Sequence, residues 1–347
     1  MADNKVGAPG VGPALAETVL DVRDLTVDFP AGNGSLQAVR GVDLAVGRGE
    51  CLGIVGESGS GKSVSALAAL GLLGRDARVR GHIELNGKDL RLLTPDQMRA
   101  LRGTVASMIF QEPSRSFDPI YNVGRTFQET LRVKDPSLSP AECRSRAVQL
   151  LTEVHISRAE ERLRGFPHQF SGGMLQRIMI ALALANDPEL LIADEPTTAL
   201  DVTIQAEIIG LLDELRERRR LSLIFISHNL ALVGQIADRI AVMYAGLVLE
   251  EGPAAAVLSQ PRSPYTRALL DALPAWGGHY SREKLRSIPG SVPDPTHHEP
   301  GCPFAPRCPL VVERCREAVP PLAGAEEGDG SSGSPGMYRC IFPGVKK

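Results

Sequence analysis

The sequence predicts an α/β fold with a largely parallel sheet, followed by a smaller, irregular C-terminal extension. Two observations carry this. Between about residues 17 and 258, short apolar runs ("ECLGIV", "ASMIF", "LLIAD", "LSLIFIS", "RIAVMYAG") alternate with longer helical patterns, and strands separated by helices pair in parallel. After about residue 259 prolines come often, strand signals weaken, and "AGAEEGDGSSGSPG" reads as a flexible loop.

Taken in order, residues 1–16 are rich in Gly, Ala and Pro without periodicity and read as a mobile tail. The fold begins with "VLDVRDLTVDF", where Leu25, Val27 and Phe29 alternate with polar neighbours as in a half-buried strand. "CLGIV" is a buried strand leading through a glycine-rich turn into the helix-like "VSALAALGLL". Between "ASMIF" and "LLIAD" strand signals stop, and about residues 121–186 read as a helical insertion. Within it, "FSGGMLQR" offers Ser171 as an N-cap and sets Leu175, Ile178, Met179 and Leu182 on one helix face.

Composition narrows the function. The chain has 347 residues, 43% hydrophobic, with 38 basic against 41 acidic side chains and a net charge of -3, so no overall basic field invites nucleic acid. The run Arg218, Arg219, Arg220 reads as a solvated helix end. The candidate span "IMIALALANDPELLIAD" is broken by Asn186, Asp187 and Pro188, and the N-terminus lacks a basic segment followed by an apolar core. A cytoplasmic protein with reduced thiols is expected.

"GESGSGKS" fits G-x-x-x-x-G-K-[ST] between a strand and a helix, the context in which that pattern binds phosphate. Gly56, Gly59 and Gly61, with Ser58 between them, let backbone N–H groups curl around phosphate oxygens at a positive helix N-terminus. Lys62 then pairs with the β- and γ-phosphates, and Ser63 ligates Mg²⁺. In "LLIADEP", Asp194 closes a buried strand and orients Mg²⁺ through water, while Glu195 polarises the attacking water. Two adjacent carboxylates at a strand end repel each other unless a cation is near. The Ser171-Gly172-Gly173 helix start is a second anion site, which hints at a partner's ATP.

With these motifs in view, residues of about 17–258 resemble the ATP-binding subunit of an ABC transporter. "GESGSGKS" is similar to its P-loop, Gln111 to its Q-loop, "FSGGM" to its signature, "LLIADE" to its Walker B strand, "TTALD" to its D-loop, and Ser227-His228 to its switch histidine. The signature departs from LSGGQ at Phe170 and Met174. The resemblance implies a P-loop NTPase ABC cassette, with a parallel sheet core, an antiparallel β part and a helical subdomain. It also implies a head-to-tail pair with two sandwiched ATPs, each meeting the P-loop of one chain and Ser171 and Gly173 of the other. His228 then contacts the γ-phosphate, Asp201 links the two sites, Gln111 senses the γ-phosphate and Mg²⁺, and Phe29 is the candidate for adenine stacking, its other reading being a strand-core aromatic.

"QEPSRSFDPIYNVGR", "RSPYTRALLDALP", "IPGSVPDP" and "GCPFAPRCP" resemble the oligopeptide/dipeptide (also nickel) importer subfamily. This implies a peripheral ATPase at the cytoplasmic face of the cell membrane. Its partners are a second ATPase subunit (self or sister chain), two transmembrane permease subunits and, through the complex, an extracytoplasmic solute-binding protein. The alternative is a non-transport ABC ATPase acting on ribosomes, DNA or iron–sulfur assembly; the single cassette without a heptad insert and the extension 259–347 argue against it.

Cys302, Cys308, Cys315 and Cys340 are separated by five, six and twenty-four residues. Four thiolates can close a zinc site or hold a 4Fe-4S cluster. Zinc knuckles favour two to four residues between paired cysteines, so the looser spacing and the Cys-Pro steps favour the cluster, as does the family resemblance. Zinc, or cysteines that are unliganded or disulfide-linked, remain the alternatives, and the role is a structural cross-link or redox or iron sensing. Cys51 reads as core, and Cys143 as lying in a charged helix without partners.

Overall fold

The computed structural model describes residues 18–32, 34–198, 200–273, 287–296, 298–324 and 336–342. The expected N-terminal tail, residues 325–335 of the expected flexible loop, and Ala199 of "TTALD" lie outside them. In chain order the strands are β1 (Thr18–Ala31), β2 (Gly34–Gly47), β3 (Cys51–Val55), β4 (Arg78–Leu85), β5 (Lys88–Asp89), β6 (Ala106–Ile109), β7 (Leu190–Asp194), β8 (Ser222–Ser227), β9 (Arg239–Tyr244), β10 (Leu247–Pro253), β11 (Ala323–Gly324) and β12 (Met337–Tyr338). The α-helices are α1 (Lys62–Ala69), α2 (Pro95–Leu101), α3 (Pro113–Ser116), α4 (Val123–Lys134), α5 (Pro140–Glu153), α6 (Ala159–Arg162), α7 (Gly172–Ala183), α8 (Val202–Arg219), α9 (Leu230–Val233), α10 (Ala254–Ser259), α11 (Pro264–Asp271) and α12 (Arg314–Glu317).

These strands form two sheets. The smaller is antiparallel in the order β2-β1-β4-β5, and the larger runs β11-β12-β10-β9-β3-β8-β7-β6. From β9 to β6 every neighbouring pair in the larger sheet is parallel. Every residue of β3, β7 and β8 is buried, as expected for strands covered on both faces. One core lies between the antiparallel sheet, α1 and one face of β3, and includes Leu20, Val27, Leu52, Ile54 and Ala66. The other gathers the opposite face with Phe127, Leu151, Ile178, Leu212 and Phe225.

Simple alternation fails in β1. The pairing with β2 shifts between Thr18 and Leu20 and again between Val22 and Leu25, where Asp24 takes φ +48°, and Val19, Leu20 and Val22 are all buried. A bulge of this kind turns the strand and re-aims its side chains. From 113 to 183 the regular elements are helical. Their ends are written locally: Ser139 and Glu142 form a capping box with Pro140 at the first turn of α5, Asn122 caps α4 and Ser171 caps α7.

The extension packs on the cassette. Tyr265 of α11, fully buried, lies with its ring centroid 4.6 Å from Tyr244 of β9 and 5.2 Å from Phe304. At the sheet edge β12 pairs with β10, and the Arg339 N–H donates to Leu249 O at 2.8 Å. Cys143 lies in the charged helix α5 as a free thiol, as expected, and faces inward into the core. Cys51 is buried as expected, and burial pushes its thiol pKa up.

Candidate functional site

Four adjacent parallel strands deliver the site at their carboxyl ends, where ligands bind in sheets of this kind. The loop Gly56–Ser63 follows β3, Ser227 and His228 end β8, Asp194 and Glu195 end β7, and Gln111 follows β6. Register aligns these ends: Val55 pairs with Ser227, Asp194 with Ile226 and Ile109 with Ala193.

Close approach dictates the glycines. A Cβ on Gly56 would stand 2.1 Å from Met243 O, and one on Gly61, at φ +97°, would stand 2.6 Å from Ala38 O. Only glycine fits both demands. Ser58 and Gly59 form the exposed rim of the loop. Lys62 is buried and folds its Nζ onto the loop, donating to Gly56 O at 2.8 Å and Glu57 O at 3.0 Å. Burial lowers its pKa, while Glu195, Asp194 and Glu57 act to raise it.

Ser63 Oγ donates to Asp194 Oδ1 at 2.9 Å. Burial raises the Asp194 pKa against the opposing pull of the Ser63 bond; the charge of Glu195 adds to the rise, and Lys62 lowers it. A hydroxyl and a buried carboxylate placed together are hard oxygen donors of the type Mg²⁺ takes, so these two residues fit that ion. Glu195 sits in the left-handed region at φ +46°, a conformation that costs about 1 kcal/mol or more outside glycine. Its backbone N–H donates to Ile226 O at 2.9 Å. Its Oε2 accepts from Thr198 Oγ1 at 2.8 Å and Gln111 Nε2 at 3.2 Å, and stands 3.4 Å from His228 Nδ1. Lys62, Ser63, Gln111, Asp194, Glu195 and His228 are thus brought together.

Other expected residues stand apart. Ser171 is exposed and accepts the Met174 N–H at 3.4 Å; among the described residues no hydrogen bond joins it to the P-loop. A Cβ on Gly173 would stand 2.9 Å from Ile204 Cγ2, which marks the close approach of α7 to α8. Asp201 caps α8 through the Ile204 N–H at 2.9 Å and is exposed. Phe29 is half-buried against the β1 core and pairs with Leu36, near the stretch of β2 whose Ala38 O abuts Gly61.

Three contributors escaped the sequence reading. Thr198 lies three residues after Glu195 inside "TTALD", and its signal was a hydroxyl one turn beyond a catalytic carboxylate. Arg307 and Tyr265 reach Glu57 from the extension, at 2.9 Å and 3.0 Å, and no local pattern announces contacts across more than 200 positions.

Residues 39–198 match the ABC transporter family, and residues 249–315 match the oligopeptide/dipeptide transporter C-terminal region. The chain is 47% identical over 326 residues to the dipeptide transport ATP-binding protein DppD of Escherichia coli (strain K12), covering 94% of this chain and 97% of that protein. The chain belongs to the ATP-binding subunits of the oligopeptide/dipeptide ABC transporters.

This ABC ATPase is also similar to solved cassettes. It matches the dimeric, post-hydrolysis structure of the ATP-binding cassette MJ0796 bound to ADP and Pi at TM-score 0.61 and 26% identity, over 68% of this chain and 98% of that one. It matches cbiO1 from Clostridium perfringens at TM-score 0.59 and 26% identity, over 70% and 90%. As a member of its family it is an ATPase that powers peptide import through an ABC transporter. Among the described residues no helix is long and apolar enough to cross a membrane.

Proposed function

We propose that this ABC ATPase drives import of dipeptides or related short peptides as one half of a head-to-tail pair. The observation that carries the reading is the split in the ATP machinery. Lys62, Ser63, Asp194 and Glu195 converge at one sheet end, while an exposed Ser171 and a half-buried Gly173 lie elsewhere. A second ATPase subunit, a copy or a sister chain, supplies the missing signature to each ATP.

In this reading the loop N–H groups and Lys62 hold the phosphates, and Phe29 stacks on adenine. Mg²⁺, when held at Ser63 and Asp194 with Gln111 nearby, neutralises phosphoryl charge. Glu195 polarises water, with Thr198 and Gln111 fixing its Oε2, and His228 reaches the γ-phosphate. The helices between β6 and β7 follow Gln111 directly and transmit pair closure to two transmembrane permease subunits at the cytoplasmic face. An extracytoplasmic solute-binding protein delivers the solute. The division is a cassette at 17–258, with its helical part at about 121–186, and the extension at 259–347. Reconstitution with the membrane partners tests the substrate: unlabelled dipeptides are expected to displace a labelled dipeptide in ATP-dependent uptake, and displacement by nickel instead would refute the peptide reading.

For the extension the reading is a 4Fe-4S cluster held by Cys302, Cys308, Cys315 and Cys340. All four line one apolar cavity with Phe304, Leu310 and Phe342, and burial pushes the Cys302 thiol pKa up to about 11. Among the described residues no three His, Cys, Asp or Glu side chains stand close enough to hold a single metal ion. Four thiols lining one cavity are the donor set that a 4Fe-4S cluster would use.

A further inference from the structure

We propose that Arg307 is a positioning residue of the ATP site, clasping the phosphate-binding loop from the C-terminal extension. Its target is Glu57, the second residue of "GESGSGKS". Every polar group of Glu57 is engaged. The carbonyl accepts from Lys62 Nζ at 3.0 Å and from the Ser60 N–H at 3.2 Å. The backbone N–H donates to Tyr265 Oη at 3.0 Å, and Oε2 accepts from Arg307 Nη1 at 2.9 Å. The last two partners belong to the extension.

Arg307 is itself fixed on all sides. Its side chain is 6% exposed. Nε donates to Pro289 O at 2.8 Å, Nη2 to Ile288 O at 3.4 Å, and Nη1 also to Tyr244 Oη at 3.1 Å. The guanidinium lies over the Tyr244 and Phe304 rings, 5.7 Å and 6.0 Å from their centroids. The segments "RSPYTRALLDALP" and "GCPFAPRCP" therefore converge on one loop residue, and "IPGSVPDP" braces Arg307.

Two physical consequences follow for ATP. The loop contains Gly56, Gly59 and Gly61, and α1 starts at Gly61 without a side-chain cap. Such a backbone loses much freedom on ordering, so an anchor at Glu57 pre-organises it. The Glu57 carboxylate also belongs to the loop on which Lys62 folds and acts on the Lys62 charge, and Arg307 neutralises it. A lysine cannot reproduce the fork that reaches two carbonyls, a carboxylate and a hydroxyl at once.

The test is equilibrium binding of ATP to the full-length chain, with KM and kcat measured on the assembled transporter. Arg307→Ala is expected to weaken ATP binding about tenfold, the lower end of what loss of a charge-assisted hydrogen bond brings. Glu57→Gln in the same chain is expected to recover only the part of that loss that comes from the uncompensated Glu57 charge, and Arg307→Lys to recover part. A purely structural role lowers the number of folded binding sites and the apparent kcat but leaves affinity and KM unchanged. If Arg307→Ala does not fold, Tyr265→Phe keeps the ring and removes only the acceptor for the Glu57 N–H; weaker ATP binding then supports the clasp. Wild-type affinity in either variant overturns it.

Discussion

Glu195, the water-polarising residue of the proposed mechanism, is one strained residue. Its φ of +46° turns the carboxylate off the end of β7, and Thr198, Gln111 and His228 surround Oε2. Glu195→Gln is expected to lower kcat by about 100-fold or more, the scale of lost general-base catalysis, with ATP affinity retained; steady-state ATPase assays and ATP binding check this. Thr198→Val removes one tether and is expected to lower kcat less than Glu195→Gln does, with KM unchanged. Asp194 gives a pH prediction. Its folded pKa is raised, chiefly by burial, so its contribution to stability is complete below the ordinary carboxylate range and is lost as pH rises through the raised value. Without nucleotide or Mg²⁺, Asp194→Asn is therefore expected to melt at higher temperature than wild type at neutral pH, with the difference vanishing in acid. A lower melting temperature at neutral pH would contradict that assignment. The two carboxylates were legible from "LLIADE" because charge at the end of an apolar strand is informative. Thr198 was not, because its role depends on the left-handed turn at Glu195.

Among elements, legibility followed burial. β3, β7 and β8 are buried throughout and apolar in their interiors, and such runs are legible directly. β2 and β4 carry Arg40, Asp43, Arg78 and Arg80 together with Gly41 and Gly81, and their partial exposure leaves no clean period. The helical stretch after Gln111 was visible from the absence of strand signals, and its caps at Asn122, Ser139 and Ser171 are local chemistry. Ser171→Ala removes the cap of α7 and is expected to cost about 1 kcal/mol in denaturant unfolding. The same change is expected to leave ATP binding to the isolated chain intact while lowering ATPase in the pair, because Ser171 serves the partner's nucleotide in the proposed assembly. Equal losses of binding in the isolated chain would place Ser171 in its own site instead.

At the scale of the whole molecule, the extension and the cassette share a core. Phe304 is 2% exposed and packs on Tyr244 and Tyr265, contacts between distant segments that no local pattern encodes. Phe304→Ala is expected to destabilise the chain by about 3–5 kcal/mol, read from denaturant unfolding. The four cysteines were legible as a set, but their shared apolar cavity was not. Anaerobically purified protein is expected to absorb broadly near 400 nm with about four irons per chain, both lost in Cys308→Ser, as a cubane site requires. The ATP site and the family were legible because each motif ends a strand or starts a helix, so spacing along the chain maps onto neighbouring positions in the sheet. The most direct test of the central claim is uptake of a labelled dipeptide by transporters reconstituted with this subunit as wild type or Glu195→Gln. ATP-driven uptake in the wild type and its loss in the variant, with the complex still assembled, is the predicted result; equal uptake by both would contradict it.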